Sequence, residues 1–391
     1  MSLCYCINKH LLVRGAFVIY LDYSASFPPF PEVIEKMGHT ASEYWANPSA
    51  IHAEGARARA LLRESRKRLA DVLNVRPEEI YFTSGGTEAN NWAVKMGALQ
   101  KGKRHIVCFA SEHKSVLEPV ETMGRQGFEI SYVHPGRDGR LCPDTLKAAI
   151  RPDTALVCVQ AVNNETGVIQ DVEAIARLCA QKGAIYHCDG VQALGHVELP
   201  LNKAGLISLS AHKLGGPRGV GCLVIGRQYS LSPFIEGGGQ EFSLRSGTEN
   251  LPGIAGFALA AELSMCDLPK EYERLKKLRD IFEKGLYDIC PGTVIAGEKA
   301  ERSPGISCCA LPGITAEELV MRLDLKGICA SPGAACSARE TKPSHVLLSM
   351  GYDRQKAGEF VRFSMGRDTT EEEIRQTLSA VAEIWKGAGR K

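Results

Sequence analysis

At 391 residues the chain exceeds the ~100 to 150 residues of one usual compact core, so two lobes around a shared interface are expected. With 44% hydrophobic and 24% charged residues and a formal net charge of +2, it has the make-up of an ordinary globular protein. That near balance of charge argues against a protein whose main business is holding nucleic acid or a membrane surface.

At the start of the chain Lys9 and Arg14 interrupt the apolar residues, leaving no run of the ~7 to 15 that a secretory signal requires. Nor does any later stretch reach the ~18 consecutive apolar residues of a membrane span, so the cytoplasm is the expected compartment. The 14 cysteines fit that setting, scattered singly through apolar runs as at Cys108, Cys158, Cys222 and Cys266. All except Cys336 read as buried free thiols, and without paired C-x-x-C sets no metal site is expected.

Ala58, Leu61, Leu62, Leu69 and Val72 recur at helical spacing. The same stretch carries Arg57, Arg59, Arg63, Arg66, Lys67 and Arg68, which reads as a solvated helix face in preference to an RNA-binding stripe. From about Glu79 to Gly226 seven short apolar runs alternate with helical patterns: EIYFTS, HIVCFAS, FEISYVHP, ALVCVQAV, AIYHCDG, LISLSAH and CLVIG. That alternation predicts an α/β fold with a mainly parallel seven-stranded sheet covered by helices. Between the first two strands, Ala89, Trp92, Ala93 and Met96 mark one such helix.

After about Phe257 the pattern changes to a charged helix near Pro269 to Tyr287, then mixed pieces ending in a helix from Thr370. The expected division is a large lobe over 30–257 and a smaller α+β lobe made of 1–29 and 258–391, with the active site in the cleft between them.

Three places carry candidate chemistry. Ser84-Gly85-Gly86-Thr87 joins a strand to a helix and leaves unpaired N–H groups at a helix N-terminus, which suits a phosphate and equally suits a plain junction. Asp189 ends a predicted strand, with Gln192 three residues on. Such an acid lies where α/β sheets bind ligands and can pair with a protonated pyridine nitrogen; taken alone it reads more readily as a helix N-cap. Lys213 follows Ser210 and His212 at the end of the apolar run LISLS, where it either snorkels to solvent or is placed to form a Schiff base.

Together these runs resemble the cysteine desulfurases, the class V branch of the aminotransferase-fold pyridoxal-phosphate enzymes. The resemblance extends from YLDYSAS at Tyr20 through NPSAIHAEG, FTSGGTEANN, SEHKSV, VNNETGVIQ, YHCDGVQ, SAHKLGGPRG, RSGTEN and PGAACSA to VRFSMGR at Val361, in family order over nearly the whole chain.

The resemblance implies a fold-type I transferase, acting as a homodimer, that converts L-cysteine to L-alanine and leaves sulfur as a persulfide on Cys336. Lys213 would hold pyridoxal 5'-phosphate, Asp189 would face its ring nitrogen and Gln192 its ring hydroxyl. His113 would stack on the ring and shuttle the substrate thiol proton. Gly86, Thr87, Ser210 and His212 would bind phosphate, with Thr248 of the partner subunit. Asn164, which also touches the cofactor, and Arg362 would orient the substrate carboxylate.

Cys336 lies in SPGAACSARETKPS, rich in small and polar residues and without a helical or strand period, so a mobile loop is expected; this resembles the longer-loop group of the family. The implied acceptor of its sulfur is an iron–sulfur scaffold or a thiolation enzyme, with no membrane and no direct nucleic-acid partner. The sequence departs from the family pattern at Ala330-Ser331-Pro332-Gly333-Ala334, where Ser-Ser-Gly-Ser is usual before the cysteine, and at Ser26-Phe27-Pro28, where Thr-Thr-Pro is usual. Only Lys386 to Lys391 follow Trp385, where some members carry a longer tail for docking an iron–sulfur scaffold. The competing readings are a selenocysteine lyase or aminotransferase of the same fold, and a catalytically quiet sulfur-carrier or assembly protein. A nicotinamide oxidoreductase is disfavoured because no glycine fingerprint opens the first βα unit.

Overall fold

Alternating side chains on buried strands dictate two apolar faces, and the computed structural model, which describes residues 18–333 and 343–387, is built around that constraint. Its strands, in chain order, are β1 (Ile19–Tyr20), β2 (Ile80–Thr83), β3 (His105–Phe109), β4 (Glu129–Val133), β5 (Thr154–Cys158) and β6 (Ile185–Asp189). There follow β7 (Leu206–Ser210), β8 (Gly221–Ile225), β9 (Val294–Ile295), β10 (Ile306–Ala310), β11 (Ile328–Cys329) and β12 (Phe360–Ser364).

The large sheet has seven strands in the order β2-β8-β7-β6-β5-β3-β4. The pairings from β4 through β3, β5 and β6 to β7 are parallel, while β8 runs antiparallel to both β7 and β2. Each of the seven predicted strands is present, and the sheet is mainly parallel as expected.

On one face Phe82, Val107, Phe109, Val157, Tyr186 and Leu209 pack against Ala58, Leu61, Leu62 and Leu69 of the helix Ala53–Leu73 and against the helix Leu251–Cys266. On the other, Ile106, Cys108, Leu156, Leu206 and Leu223 meet Ala89, Trp92 and Ala93 of the helix Gly86–Gly97. The helix Ala53–Leu73 starts at His52, whose Nδ1 accepts from the Gly55 N–H, and stops at Asn74 in the left-handed conformation, φ 51°.

A second apolar core gathers the three-stranded antiparallel sheet β12-β10-β9 with the helices Leu268–Ile289, Ala316–Asp324 and Glu371–Gly387. Ile19 and Leu21 belong to this core, because β1 pairs in parallel with β11. The helix Leu251–Cys266 runs through residue 257, and its Ile254, Phe257, Ala260 and Ala261 all pack with the large sheet. The chain turns only afterwards, the next helix starting at Leu268 with a 69° bend. No single helix among the described residues is long and apolar enough to cross a membrane.

Cys108, Cys158 and Cys222 are buried, and burial pushes their thiols well above the ordinary range, so they are inert packing groups. Cys266 corrects the expectation: it is exposed, because it is the last residue of its helix, past the turn that meets the sheet.

Candidate functional site

Parallel strands point their C-terminal ends at one edge of the sheet, where ligands of such folds bind. There β2, β6 and β7 end on Thr83, Asp189 and Ser210 around a cavity of about 560 Å³. The structure brings ten of the predicted site residues to its wall: Gly86, Thr87, Ser210 and His212 from the turns after β2 and β7, with His113, Asn164, Asp189, Gln192, Lys213 and Arg362 around them. Thr248 is not among them; it is exposed on the segment after β8. Cys336, and with it the expected mobile loop, lies outside the described residues.

The turn after β2 makes the anion-binding end. Gly85 caps the helix Gly86–Gly97 without a side chain, so the N–H groups of its first turn lack an internal acceptor. Gly221 of β8 lets this turn come close to the sheet: a Cβ there would sit 2.7 Å from Gly85 Cα and 2.4 Å from Leu209 O. Ser210 Oγ and His212 Nδ1 are 2.9 Å apart beside it. Burial, with the charges of Lys213 and Arg218 adding, pushes His212 down to about 4, leaving a neutral imidazole at neutral pH.

A hydrogen-bond chain that the sequence did not reveal joins Asp189 to His113. Asn90, one turn into the helix Gly86–Gly97, donates Nδ2 to Asp189 Oδ2 at 2.7 Å and to Ser115 Oγ at 2.8 Å. Ser115 Oγ lies 2.7 Å from His113 Nδ1, which also accepts from the Ser115 N–H at 3.1 Å. With Nδ1 accepting, this network assigns the ring proton to Nε2. Burial lowers the His113 pKa, so the neutral ring is favoured. The Val191 N–H donates to Asp189 Oδ1 at 3.0 Å within a turn; no helix starts there, so Asp189 is not the helix N-cap of the alternative reading. The signal for Asn90 was present as a polar residue beside the apolar stripe of Ala89, Trp92 and Ala93, but its partner is 99 residues away.

Lys213 stands on a short turn after β7, its carbonyl 2.7 Å from His196 Nε2. Its Nζ donates to Ser24 O at 2.6 Å and Ala25 O at 2.9 Å, so it points into the cavity and does not snorkel away. Gln192 Nε2 donates to the same Ser24 carbonyl at 2.9 Å. Arg362 is buried on β12, with Nη1 on Asn164 O at 2.8 Å and Nη2 on Asp22 Oδ1 at 2.7 Å. Glu112 is fully buried just before His113, and burial, with Asp189 adding, pushes its carboxyl well above the usual range.

Three histidines near the site are therefore poised against acid. His187, fully buried behind Asp189, is pushed down to about 4 by burial, His212 likewise falls to about 4, and His113 is lowered. In the unfolded chain each titrates near 6.5. Between the two values the unfolded state binds more protons, so stability falls as the pH drops below about 6.5. The raised carboxyl of Glu112 pulls the opposite way, so the test uses Glu112→Gln: its urea midpoint is expected to be lower at pH 5 than at pH 7.5, and an equal or higher midpoint contradicts the assignment.

On the basic stripe of the helix Ala53–Leu73, Arg57, Arg63 and Lys67 are exposed, as a solvated face requires. Arg57 pairs with Glu54, Lys67 with Asp71 and Arg68 with Glu262, while Arg59 donates to the carbonyls of Pro48 and Ala50. Arg66 departs from the expected solvated face: it is buried and paired with Glu241.

Residues 19–377 match the sequence profile of the family described as Aminotransferase class-V. Cysteine desulfurase IscS of Dictyoglomus turgidum is 38% identical over 370 residues, covering 94% of this chain and 94% of that protein. A solved NifS-like protein superposes with a TM-score of 0.89 at 35% identity, over 95% of this chain and 100% of the other. The structure of SspA in complex with cysteine superposes with a TM-score of 0.79 at 31% identity, over 89% and 98%.

Proposed function

The chain belongs to the cysteine desulfurases of the class V aminotransferase family, and we propose that the cavity at the strand ends binds pyridoxal 5'-phosphate and L-cysteine, releasing L-alanine. The carrying observation is that an uncapped helix N-terminus, the buried acid Asp189 and the amine of Lys213 face one cavity of about 560 Å³. That set fits the cofactor from end to end: an anion cradle, an acid for a pyridine nitrogen, a ring-stacking imidazole and an amine for the aldehyde. Bound there, pyridoxal phosphate supplies an electron sink that acidifies the substrate Cα–H and weakens the Cβ–S bond.

This chain's own residues do the rest. Lys213 would anchor the cofactor through its amine and would be placed to move the substrate Cα proton. Asp189, oriented by Asn90 and the Val191 N–H, holds the negative charge that keeps a pyridine nitrogen protonated. Gln192 serves the ring hydroxyl, and Gly86, Thr87, Ser210 and His212 hold the phosphate together with Thr248 of the partner subunit. The exposure of Thr248 away from its own cavity supports a homodimer. His113, its proton on Nε2, exchanges a proton with the substrate thiol. Asn164, which also touches the cofactor, and Arg362 orient the substrate carboxylate, with the guanidinium held in plane by Asp22 and the Asn164 carbonyl.

Cys336 as thiolate attacks the substrate sulfur. The S–S bond forms as Cβ–S breaks, the electron pair of the broken bond stays on the carbon fragment, and protonation there gives alanine. Sulfur remains on Cys336 as a persulfide for an acceptor protein, an iron–sulfur scaffold or a thiolation enzyme in the cytoplasm. We place the catalytic centre between a large cofactor-binding lobe and a smaller lobe that carries Cys336. Incubation of the purified holoenzyme with L-cysteine and a reductant tests the reading. Alanine and sulfide are expected in equal amounts, and Cys336→Ala should keep the cofactor's absorbance while losing both products. A Cys336→Ala variant that still releases sulfide at the parent rate removes the nucleophile from this scheme.

A further inference from the structure

We propose that Asn90 is a positioning residue that sets the charge of two groups at the cofactor site: one buried amide favours the carboxylate form of Asp189 and, by way of Ser115, the uncharged His113 ring with its proton on Nε2. The proposal rests on the desulfurase reading above and extends it from the orientation of Asp189 to the protonation of both groups.

Asn90 is buried on the helix Gly86–Gly97, and both of its amide hydrogens are engaged: Nδ2 donates to Asp189 Oδ2 at 2.7 Å and to Ser115 Oγ at 2.8 Å. A carboxylate can only accept, so Asp189 decides which way round the amide stands. Ser115 Oγ is thereby the acceptor in its bond with Asn90, and its own hydrogen is left for His113 Nδ1 at 2.7 Å. The same ring nitrogen accepts from the Ser115 N–H at 3.1 Å, because His113 caps the helix Lys114–Arg125. Every link has one polarity, and that polarity originates at Asp189.

Such a chain opposes a charge on His113. An imidazolium carries hydrogen on both nitrogens, and the one on Nδ1 would face two donors. Other groups around the ring act on it as well. Burial lowers its pKa most, Asp189 at the end of β6 works against that, and Lys213 after β7, His345 of the helix His345–Ser349 and Lys114 of its own helix lower it further. Glu112, the preceding residue, turns instead to the Gln160 N–H. In the desulfurase reading the imidazole lies on a pyridine ring kept protonated by Asp189, and a second cation there would be repelled. The one amide therefore favours positive charge at the ring nitrogen and none on the imidazole.

Packing alone does not account for an asparagine at this position. Its Oδ1 is buried and has no hydrogen-bond partner among the described residues, and an unpaired buried oxygen is unfavourable to folding.

The test follows the His113 ring in the protein loaded with pyridoxal phosphate, by ¹⁵N NMR of ring-labelled histidine, its signal assigned by its loss in His113→Gln. The parent ring is expected to carry its proton on Nε2. Asn90→Leu keeps the bulk and removes both donors, whereas Ser115→Ala removes only the link to His113. Each should raise the pH at which His113 titrates by about half to one unit, the worth of one hydrogen bond, and Ser115→Thr, which keeps the hydroxyl, should restore the parent value. Only Asn90→Leu also releases Asp189, so it should slow alanine release from L-cysteine more than Ser115→Ala does, by about tenfold to a hundredfold relative to the parent. The proposal is overturned by a parent ring protonated on Nδ1, by a His113 titration that stays in place in both variants, or by an Asn90→Leu enzyme no slower than Ser115→Ala. Should Asn90→Leu not fold, Ser115→Ala decides, since an unmoved titration there breaks the chain through which Asn90 acts. A parent that takes up no pyridoxal phosphate overturns the desulfurase reading itself, whereas a loaded parent with His113 unmoved in both variants overturns only the role of Asn90.

Discussion

Lys213→Ala is expected to lose at least about 10⁴-fold of desulfurase turnover, because it removes a covalent anchor and a proton carrier in one step; a single general acid–base group contributes about 10² to 10⁴. The loss should be chemical and not a collapse of the fold. Lys213 is half-buried, its backbone carbonyl is held by His196 whatever the side chain, and its Nζ donates to two carbonyls of the Ser24–Ala25 segment. Lys213→Arg separates charge from amine chemistry. Arginine keeps a cation and donors for Ser24 and Ala25, yet it stays protonated and cannot condense with an aldehyde. Both variants should therefore be inactive while only the alanine variant loses the cation. Borohydride reduction of the parent holoenzyme should attach the cofactor to the peptide containing Lys213, and of neither variant. An arginine variant within tenfold of the parent rate would show that the amine is not the reacting group.

The residues legible in sequence were those whose local context conflicted with their chemistry. Asp189 and Lys213 are charged groups at the ends of apolar strands, and β7, buried along its length, reads as LISLS because helices cover both of its faces. The seven strands were visible for the same reason. Asn90, Ser115 and Glu112 carried no such conflict: each is an ordinary polar residue whose importance comes from a partner brought near by folding. Arg66 is the clearest case. Among alternating arginines on an amphipathic helix it looked solvated, yet its carboxylate lies 175 residues further on. The exposure of Cys266 was similarly out of reach, since the helix Leu251–Cys266 is apolar along most of its length and the turn that exposes its last residue leaves no mark in the pattern.

Removing Glu241 should cause the largest loss of stability. Glu241 accepts from Arg66 through both oxygens, at 2.7 and 2.8 Å, and from the Phe82 N–H at 2.8 Å. Arg66 also donates to Ile80 O at 2.5 Å and lies over the rings of Phe82 and Phe242 at 4.7 and 5.1 Å. The pair holds a turn that would not persist alone: Glu241, Phe242 and Ser243 have φ of 43, 56 and 66°, left-handed values that disfavour side-chain-bearing residues by roughly 1–2 kcal/mol each. In Glu241→Ala the guanidinium remains buried without its counter-charge and the Phe82 N–H loses its acceptor. Breaking a buried pair from one side costs about 3–5 kcal/mol, and urea denaturation should show a loss of that order. Replacing both partners by apolar residues, Arg66→Met with Glu241→Leu, should recover much of it, since no stranded charge remains. The same turn leads into Arg245, which grips Glu88 in the first turn of the helix Gly86–Gly97 at 2.7 and 3.1 Å. A released turn should therefore also loosen the anion cradle, and Glu241→Ala is expected to lose pyridoxal phosphate on dialysis faster than the parent. Parent-like stability in the single variant would mean that the turn is held by its neighbours and that the ion pair is incidental.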